Sequence, residues 1–324
     1  MDLGTFFHHL LTFSLIGMPL KLSTGAVGAG ISYTRDPDVT GKRTIGGFFG
    51  YCFPREVFRN RNVYIDICFT VLNRLSTKWI VIPIVLLLDF MVPAINAGLT
   101  DLFGAQTQQV ATIWVAAGLV IVSLLVRDFM EFAAHALSHK SDYLWEFHKI
   151  HHSSEFLSPF GEFRSHVGDD IFRRMMTTAG LAVVMGVYTY AFGLSPVESA
   201  FLGGPVYLTA FAIICAVNLN ILHHSHIPLS FGKAERFFMS PLQHHLHHNR
   251  VGPVYNFGSF LAIWDQMFGS FSYSKPRRSF ELGLEHHDQV NYRTIPQLYL
   301  RPFVNIYHRL TGQLGKSPGI APAE

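Results

Sequence analysis

Residues 109–152 read QVATIWVAAGLVIVSLLVRDFMEFAAHALSHKSDYLWEFHKIHH. The first eighteen, Gln109 to Val126, carry no charge, and that is about the length needed to cross the hydrocarbon core of a bilayer. The same helical register then runs without a break into Asp128, Glu131, His135 and His139, at spacings of three and four that keep one helix face. Nine residues further on comes a second histidine group, His148-Lys-Ile-His151-His152. An apolar helix that ends in regularly spaced imidazoles predicts a membrane helix that delivers metal ligands to a site at the membrane surface.

Three further apolar segments extend this reading: about Trp79–Ile95, Thr177–Phe192 and Ser199–Leu222. Pro83, Pro93 and Pro205 are tolerable there, because neighbouring helices can satisfy the freed backbone groups. Gly203-Gly204-Pro205 is expected to kink the last segment. Met1–Leu22 is apolar, but His8, His9, Pro19 and Lys21 interrupt it; it reads as an interfacial helix or a first imperfect span, without the basic start of a cleavable signal. Of the 324 residues 49% are hydrophobic and only 15% charged, against about 25% charged in soluble domains. The Lys and Arg residues sort by position: nine precede Trp79, six lie between Arg127 and Arg174, and ten between Lys233 and Lys316. None falls in 96–108 or 193–198. The positive-inside rule then places both termini and the central region in the cytoplasm. The expected fold is an all-α integral membrane protein, with about four transmembrane helices in two hairpins under a cytoplasmic, histidine-rich helical cap. It forms one domain over 1–324, with its core at about 54–303 and a disordered tail at 317–324.

The net charge of +3 and the absence of a basic run argue against a nucleic-acid partner. Cys52, Cys68 and Cys215 have no metal-type spacing and suggest no disulfide framework. Histidine is the outlier, with 18 residues, none inside the four apolar segments. Besides the pairs already named there is His244-His245-Leu-His247-His248, a second His-x-x-His-His. On helices, His135, His139, His148, His151, His152, His244, His247 and His248 can converge, whereas His245 falls off the shared face. Eight imidazoles exceed the usual set for one zinc and suit two metals of intermediate softness such as iron. Glu131 lies one turn before His135, where a carboxylate can take the imidazole's other N–H; Asp128, one turn earlier still, is the weaker candidate. His8, His9, His286, His287 and His308 match no group. A metal transporter or storage protein is the rival from another class, but a transport path would place ionisable residues inside the spans, and those hold only Asp89. A bis-His haem protein would need histidines on facing spans.

These motifs resemble the fatty acid hydroxylase/sterol desaturase superfamily of membrane di-metal oxidases, over about Pro54–Phe303. The stretch Asp128–His152 carries most of the likeness. It is followed by Arg164-Ser-His166 (with Val167 where the family has Pro), LHHSHIPLSFG, SPLQHHLHH, Asn256-Phe-Gly, and Ile263-Trp-Asp265 with Phe268-Gly269. The resemblance implies a ninth ligand at His224, with His223, His226 and His166 as further candidates, and a supporting role behind the ligands for Asp265. It implies two iron ions and O2 as co-substrate. It also implies electrons from a separate donor of cytochrome b5, ferredoxin or flavoprotein type, and a membrane lipid as substrate. That lipid could be a sterol, a fatty acyl chain, a sphingoid base, an alkylglycerol or an amino-lipid head group. Hydroxylation is the simpler expected outcome, desaturation the alternative.

Overall fold

The computed structural model describes residues 3–106, 112–195, 210–275 and 280–314. Among these residues the chain is helical, and its single β-contact is an isolated bridge between Phe238 and Leu261. Three long helices organise the molecule: α4 (Arg61–Phe103), α5 (Ile113–Lys140) and α7 (Val167–Ala191). Helix α7 packs against both of the others, and small residues let it approach. A Cβ on Gly186 would come within 2.6 Å of Ile95 on α4, and one on Gly180 within 2.7 Å of Met130 on α5. Asn96 donates to the Thr189 hydroxyl at 3.0 Å, adding a polar link between α4 and α7.

Two stretches are long and apolar enough to cross a membrane, Leu86–Phe103 of α4 and Ile113–Lys140. Their large apolar side chains face outward: Phe90 is 72% exposed and Trp114 82%. The expected third segment lies in α7, which opens on a charged turn with Asp169 and Asp170. The fourth is not one straight helix. After the helical stretch 210–217 the chain breaks at Asn218 and Leu219, where Leu219 takes a left-handed backbone (φ 56°), and restarts as α9 (Asn220–His223). Residues 199–209, with the expected Gly-Gly-Pro kink, and the tail 317–324 lie outside the described residues.

Helix α1 (Leu3–Arg35) anchors α9. Gly25 and Gly28 leave room for Ile221, Leu219 and Leu222, and Ala29 joins a core with Leu222, Ile227 and Leu229. A second core, Ile65, Phe69, Ile150, Tyr292 and Leu298, holds α6 (Asp142–His152) between α4 and α13 (Ile295–Leu310). One residue joins α5 to α6: Ser141 caps both, its N–H bonding Leu137 O and its hydroxyl accepting from Leu144 N–H. The chain therefore turns sharply between two histidine-bearing helices.

Candidate metal centre

Four elements bring nine histidines together in two adjoining buried groups. His135, His139, His148, His152 and His247 form one; His151, His224, His244 and His248 form the other. Within each group the candidate ligand atoms lie within 4.8 Å of one another. The two His-x-x-His-His segments do not each serve one spot, as the spacing alone suggests. Helix α6 sends His148 and His152 to the first group and His151 to the second. Helix α10 (Pro241–His247), with His248 at its C-cap, does the reverse: His244 and His248 enter the second group and His247 the first. Helical rotation explains the division. At roughly 100° per residue, positions i and i+4 are about 40° apart, while i+3 and i+4 are about 100° apart and diverge to either side. His152 and His248 stack across the boundary, with centroids 4.4 Å apart.

Three tautomers of the first group follow from their partners. His135 Nδ1 lies 2.8 Å from the Phe257 carbonyl and His247 Nδ1 2.8 Å from the Tyr255 carbonyl. A carbonyl oxygen can only accept, so each Nδ1 carries the hydrogen and each Nε2 keeps a bare lone pair. His148 Nδ1 is 3.1 Å from Asp169 Oδ2. The Nε2 atoms of His135, His139, His148, His152 and His247 are buried without a hydrogen-bonding partner. Orphaned buried nitrogens are costly and rare, and a metal ion is what five convergent imidazoles, each with an unpartnered nitrogen, fit. In the second group Nε2 atoms meet directly: His151 to His224 at 3.0 Å, His224 to His244 at 2.9 Å, His244 to His248 at 3.1 Å. Two nitrogens at right angles about one ion, each ~2.1 Å away, are ~3 Å apart, so this spacing also suits a shared ion.

Electrostatics keeps the rings neutral and ready to bind. Burial first, and then the neighbouring imidazoles, holds His151, His152, His224, His244 and His248 well below the ordinary histidine range. Burial brings His247 down to about 3, partly offset by its bond to Tyr255.

The supports differ from the expectation at several positions. Glu131 does not take the His135 N–H. Arg173 from α7 approaches its carboxylate at 2.9 Å and Arg127 at 3.4 Å. Asp128 accepts from Phe260 N–H, Leu261 N–H and the Trp264 indole, so it fastens the 260–264 segment to α5 and touches no imidazole. Asp265 accepts from Phe257 N–H, Gly258 N–H and the Ser270 hydroxyl at 2.7–2.8 Å. It thereby fixes the loop whose carbonyls orient His135 and His247. Asn256, left-handed at φ 60°, lies between those two carbonyls and turns both toward the site; asparagine tolerates this backbone. The orienting carboxylate that spacing missed is Asp169 in the first turn of α7, 21 residues from His148. No pattern along the chain marks that pair.

None of the three further ligand candidates joins the ligand atoms of either group. His166 uses both nitrogens, Nδ1 accepting from Gly168 N–H as the α7 cap and Nε2 bonding the Tyr299 carbonyl. His226 bonds the Tyr51 carbonyl at 2.9 Å. His223 stacks on His244 with centroids 5.2 Å apart, and burial lowers it to about 4. His245 bonds the Leu222 carbonyl, as suits a structural position.

Two cavities that share part of their lining open beside the centre. The first, about 390 Å³, reaches His135, His151, His224 and His244. The second, about 490 Å³, runs between α5 and the 210–217 helix, and both share Arg127, Glu131, Glu162, Arg173, Asn220 and Ser259.

Residues 120–270, which contain all nine converging histidines, match the fatty acid hydroxylase family. That segment forms a fatty acid hydroxylase domain. The chain is 30% identical over 171 residues to the ornithine lipid hydroxylase OlsE of Rhizobium tropici, covering 51% of this chain and 45% of that protein. It is 28% identical over 190 residues to the alkylglycerol monooxygenase of Caenorhabditis elegans, covering 56% and 32%. The human alkylglycerol monooxygenase is 28% identical over 152 residues, covering 44% and 28%. The chain thus spans less than half the length of these relatives. No solved structure matches.

Proposed function

We propose that the chain is a multi-pass membrane hydroxylase that oxidises a lipid with O2 at two iron ions. One observation carries the reading: nine buried histidines form two adjoining groups, five of whose Nε2 atoms have no hydrogen-bonding partner. Nine imidazoles exceed what one ion accepts, and imidazole suits iron among other metals; the match to the fatty acid hydroxylase family favours iron. His135, His139, His148, His152 and His247 would hold one ion; His151, His224, His244 and His248 the other. Iron bound there would supply dioxygen activation and oxidation of an unactivated C–H bond, chemistry that no side chain in the cavity can perform. Hydroxylation consumes one O2, two electrons and two protons, and releases water with the alcohol. The electrons come from a separate donor of cytochrome b5, ferredoxin or flavoprotein type.

The protein's own share is placement. Asp169 and the Tyr255 and Phe257 carbonyls fix ring orientation. Burial keeps the imidazoles neutral. Ile121 and Leu125 line the second cavity while remaining 58% and 44% exposed on α5, which favours lateral entry of a lipid from the bilayer. The outward apolar faces of α4 and α5 and the Lys/Arg asymmetry support a four-span layout, with the histidines and both termini cytoplasmic. The names of the relatives favour hydroxylation over desaturation.

His148→Ala or His247→Ala is expected to abolish turnover and lower bound metal, read by elemental analysis beside lipid profiles of cells with and without the gene. A lipid heavier by one oxygen is the expected product. Full turnover with two metals retained in either variant refutes the assignment.

A further inference from the structure

The outward apolar stripe of α5 does not stop where its uncharged stretch does. Trp114, Ile121 and Leu125 are exposed at spacings that keep one helix face. Phe129 follows on that face, one turn past Leu125, and there two rings cover it: Trp264, with centroids 5.2 Å away, and Phe268 at 6.2 Å. Both rings belong to α11 (Ile263–Phe268), which Asp128 pins to α5 through the Trp264 indole and the Phe260 and Leu261 N–H groups. Having covered α5, this segment turns a new apolar surface outward. Ile263, Met267 and Phe268 are exposed, with Met267 at 65%. Phe237 and Phe238 join them, Phe237 at 60%, because the Phe237 carbonyl accepts from Ala262 N–H and Phe238 bridges to Leu261.

Five large apolar side chains exposed together mark an interaction surface. Position and charge say what covers this one. Phe129 and Phe132, on which Phe268 packs, lie three and six residues past Val126, about 4–9 Å along the helix axis. The head-group zone of a bilayer is roughly 5–8 Å deep on each side, so the surface falls in that zone when α5 crosses the hydrocarbon core. Lys233 and Arg236 are exposed next to Phe237 and have no ion pair among the described residues. The carboxylates of 231–270, Glu235 and Asp265, are both buried. The surface is therefore apolar with a positive edge and no exposed negative charge, as suits anionic lipid heads above acyl chains. A twofold contact with a second copy of the chain would bring these cations together with no acid to meet them.

We propose, resting on the multi-pass membrane reading above, that residues 237–238 and 263–268 attach the histidine-bearing cap to the bilayer in addition to the spans. Phe237, Phe238, Ile263, Met267 and Phe268 enter the boundary between heads and acyl chains of the cytoplasmic leaflet, and Lys233 and Arg236 hold anionic heads. The attachment bears on the second cavity. Phe260 and Leu261 line it, and Phe238 packs on Phe260 with centroids 5.5 Å apart. The attached segment is thus one wall of that chamber and holds it at the leaflet. The same segment continues back to the Phe257 carbonyl that orients His135, so the seat of the cap on the membrane and the ligand geometry share one stretch of backbone.

Photocrosslinking of the full chain in nanodiscs of equal parts phosphatidylcholine and phosphatidylglycerol tests the surface. The photoreactive amino acid p-benzoylphenylalanine replaces one residue at a time, and mass spectrometry of the irradiated protein reads the adduct. At Met267, and at Phe237 as a second site, lipid adducts are expected, with phosphatidylglycerol favoured about fivefold, the scale of one cation near a charged surface. Lys233→Gln with Arg236→Gln should return the two lipids to parity. Tyr143, exposed just past the end of α5 and about 21 Å beyond Val126 along the axis, should give no lipid adduct. Phe90, exposed on the apolar stretch of α4, separates the proposal from the membrane reading. Lipid at Phe90 with none at Met267 and Phe237 overturns the proposal and leaves a membrane protein. Lipid at Met267 with none at Phe90 supports the attachment and fails the multi-pass reading. A cross-linked second copy or another protein at Met267 overturns the proposal, as does lipid at Tyr143 as abundant as at Met267. Equal adducts of the two lipids with Lys233 and Arg236 in place overturn the role given to those cations.

Discussion

Replacing Asp169 by alanine tests how far the metal centre depends on a residue that would touch no metal. Its Oδ2 receives His148 Nδ1–H at 3.1 Å and the Ser165 hydroxyl at 3.3 Å, and Oδ1 receives the Ser138 hydroxyl at 3.3 Å. Burial alone would raise the Asp169 carboxyl, but the hydrogen bond from His148 and the positive charge of Arg173 pull it well below the usual carboxylate range. The group is therefore a full anion at neutral pH, in the first turn of α7, where the helix dipole also favours negative charge. Alanine leaves the His148 Nδ1–H buried without an acceptor, a cost of about 1–3 kcal/mol, and frees the ring to rotate. Loss of such an orienting partner weakens metal binding by about 10–100-fold, which is ~1.4–2.8 kcal/mol. Asp169→Asn keeps an acceptor and loses only charge assistance, so about half that penalty is expected. The assay is competition for iron against a graded chelator series, with circular dichroism to confirm that the helices persist. Wild-type affinity in a folded Asp169→Ala protein would refute the orienting role.

Gly258→Ala places a Cβ 2.7 Å from the Leu261 carbonyl and 2.8 Å from Asp265 Oδ2; overpacking of this kind costs about 1–3 kcal/mol, and the melting temperature and metal content should fall together. Arg164→Ala strands Asp66, which lies 3.2 Å from the guanidinium and is itself buried. A loss of about 3–5 kcal/mol is expected in denaturant titration, and Asp66→Asn in the same chain should recover part of it. Metal-free protein should lose stability in acid. His247 and His223 are lowered to about 3 and about 4 in the fold, against ~6.5 in the unfolded chain. Their contribution is complete above ~6.5 and is lost as the pH falls toward those lower values, because the unfolded state binds the extra protons. Asp265, raised by burial to about 6, opposes this weakly, since its contribution fades as the pH rises through 6. A melting temperature of the metal-free protein that does not fall between pH 7 and pH 5 contradicts the neutral-histidine picture.

Convergence of the histidines was legible because ligand spacing and helical period are the same number. His135 with His139, and each His-x-x-His-His, already state that a helix face is shared. Their division between two groups was not legible, since it depends on where each helix axis lies relative to the others, and neighbours such as His151 and His152 face different partners. Glu131 shows the opposite limit. Its spacing to His135 is right, but Arg173 arrives from another helix and pairs with it. Asp169 is invisible for the same reason, because its partner is a tertiary neighbour on α6. The apolar segments in α4 and α5 were legible from composition. The break at Asn218–Leu219 was not, because nothing in Ala-Val-Asn-Leu-Asn-Ile forbids a continuous helix; it follows from α1 capturing Leu222 and its neighbours.

The exchange of ligands between α6 and α10 has a thermodynamic consequence. Each of these helices would donate to both ions, so ordering either helix around one ion prepares ligands for the other. Filling the first position lowers the ordering cost of the second, which is positive coupling and must act equally in both directions. The half-filled protein becomes the scarcest species during assembly, and an injury to one group depletes both. A centre that needs two ions at once would in this way avoid idling with one.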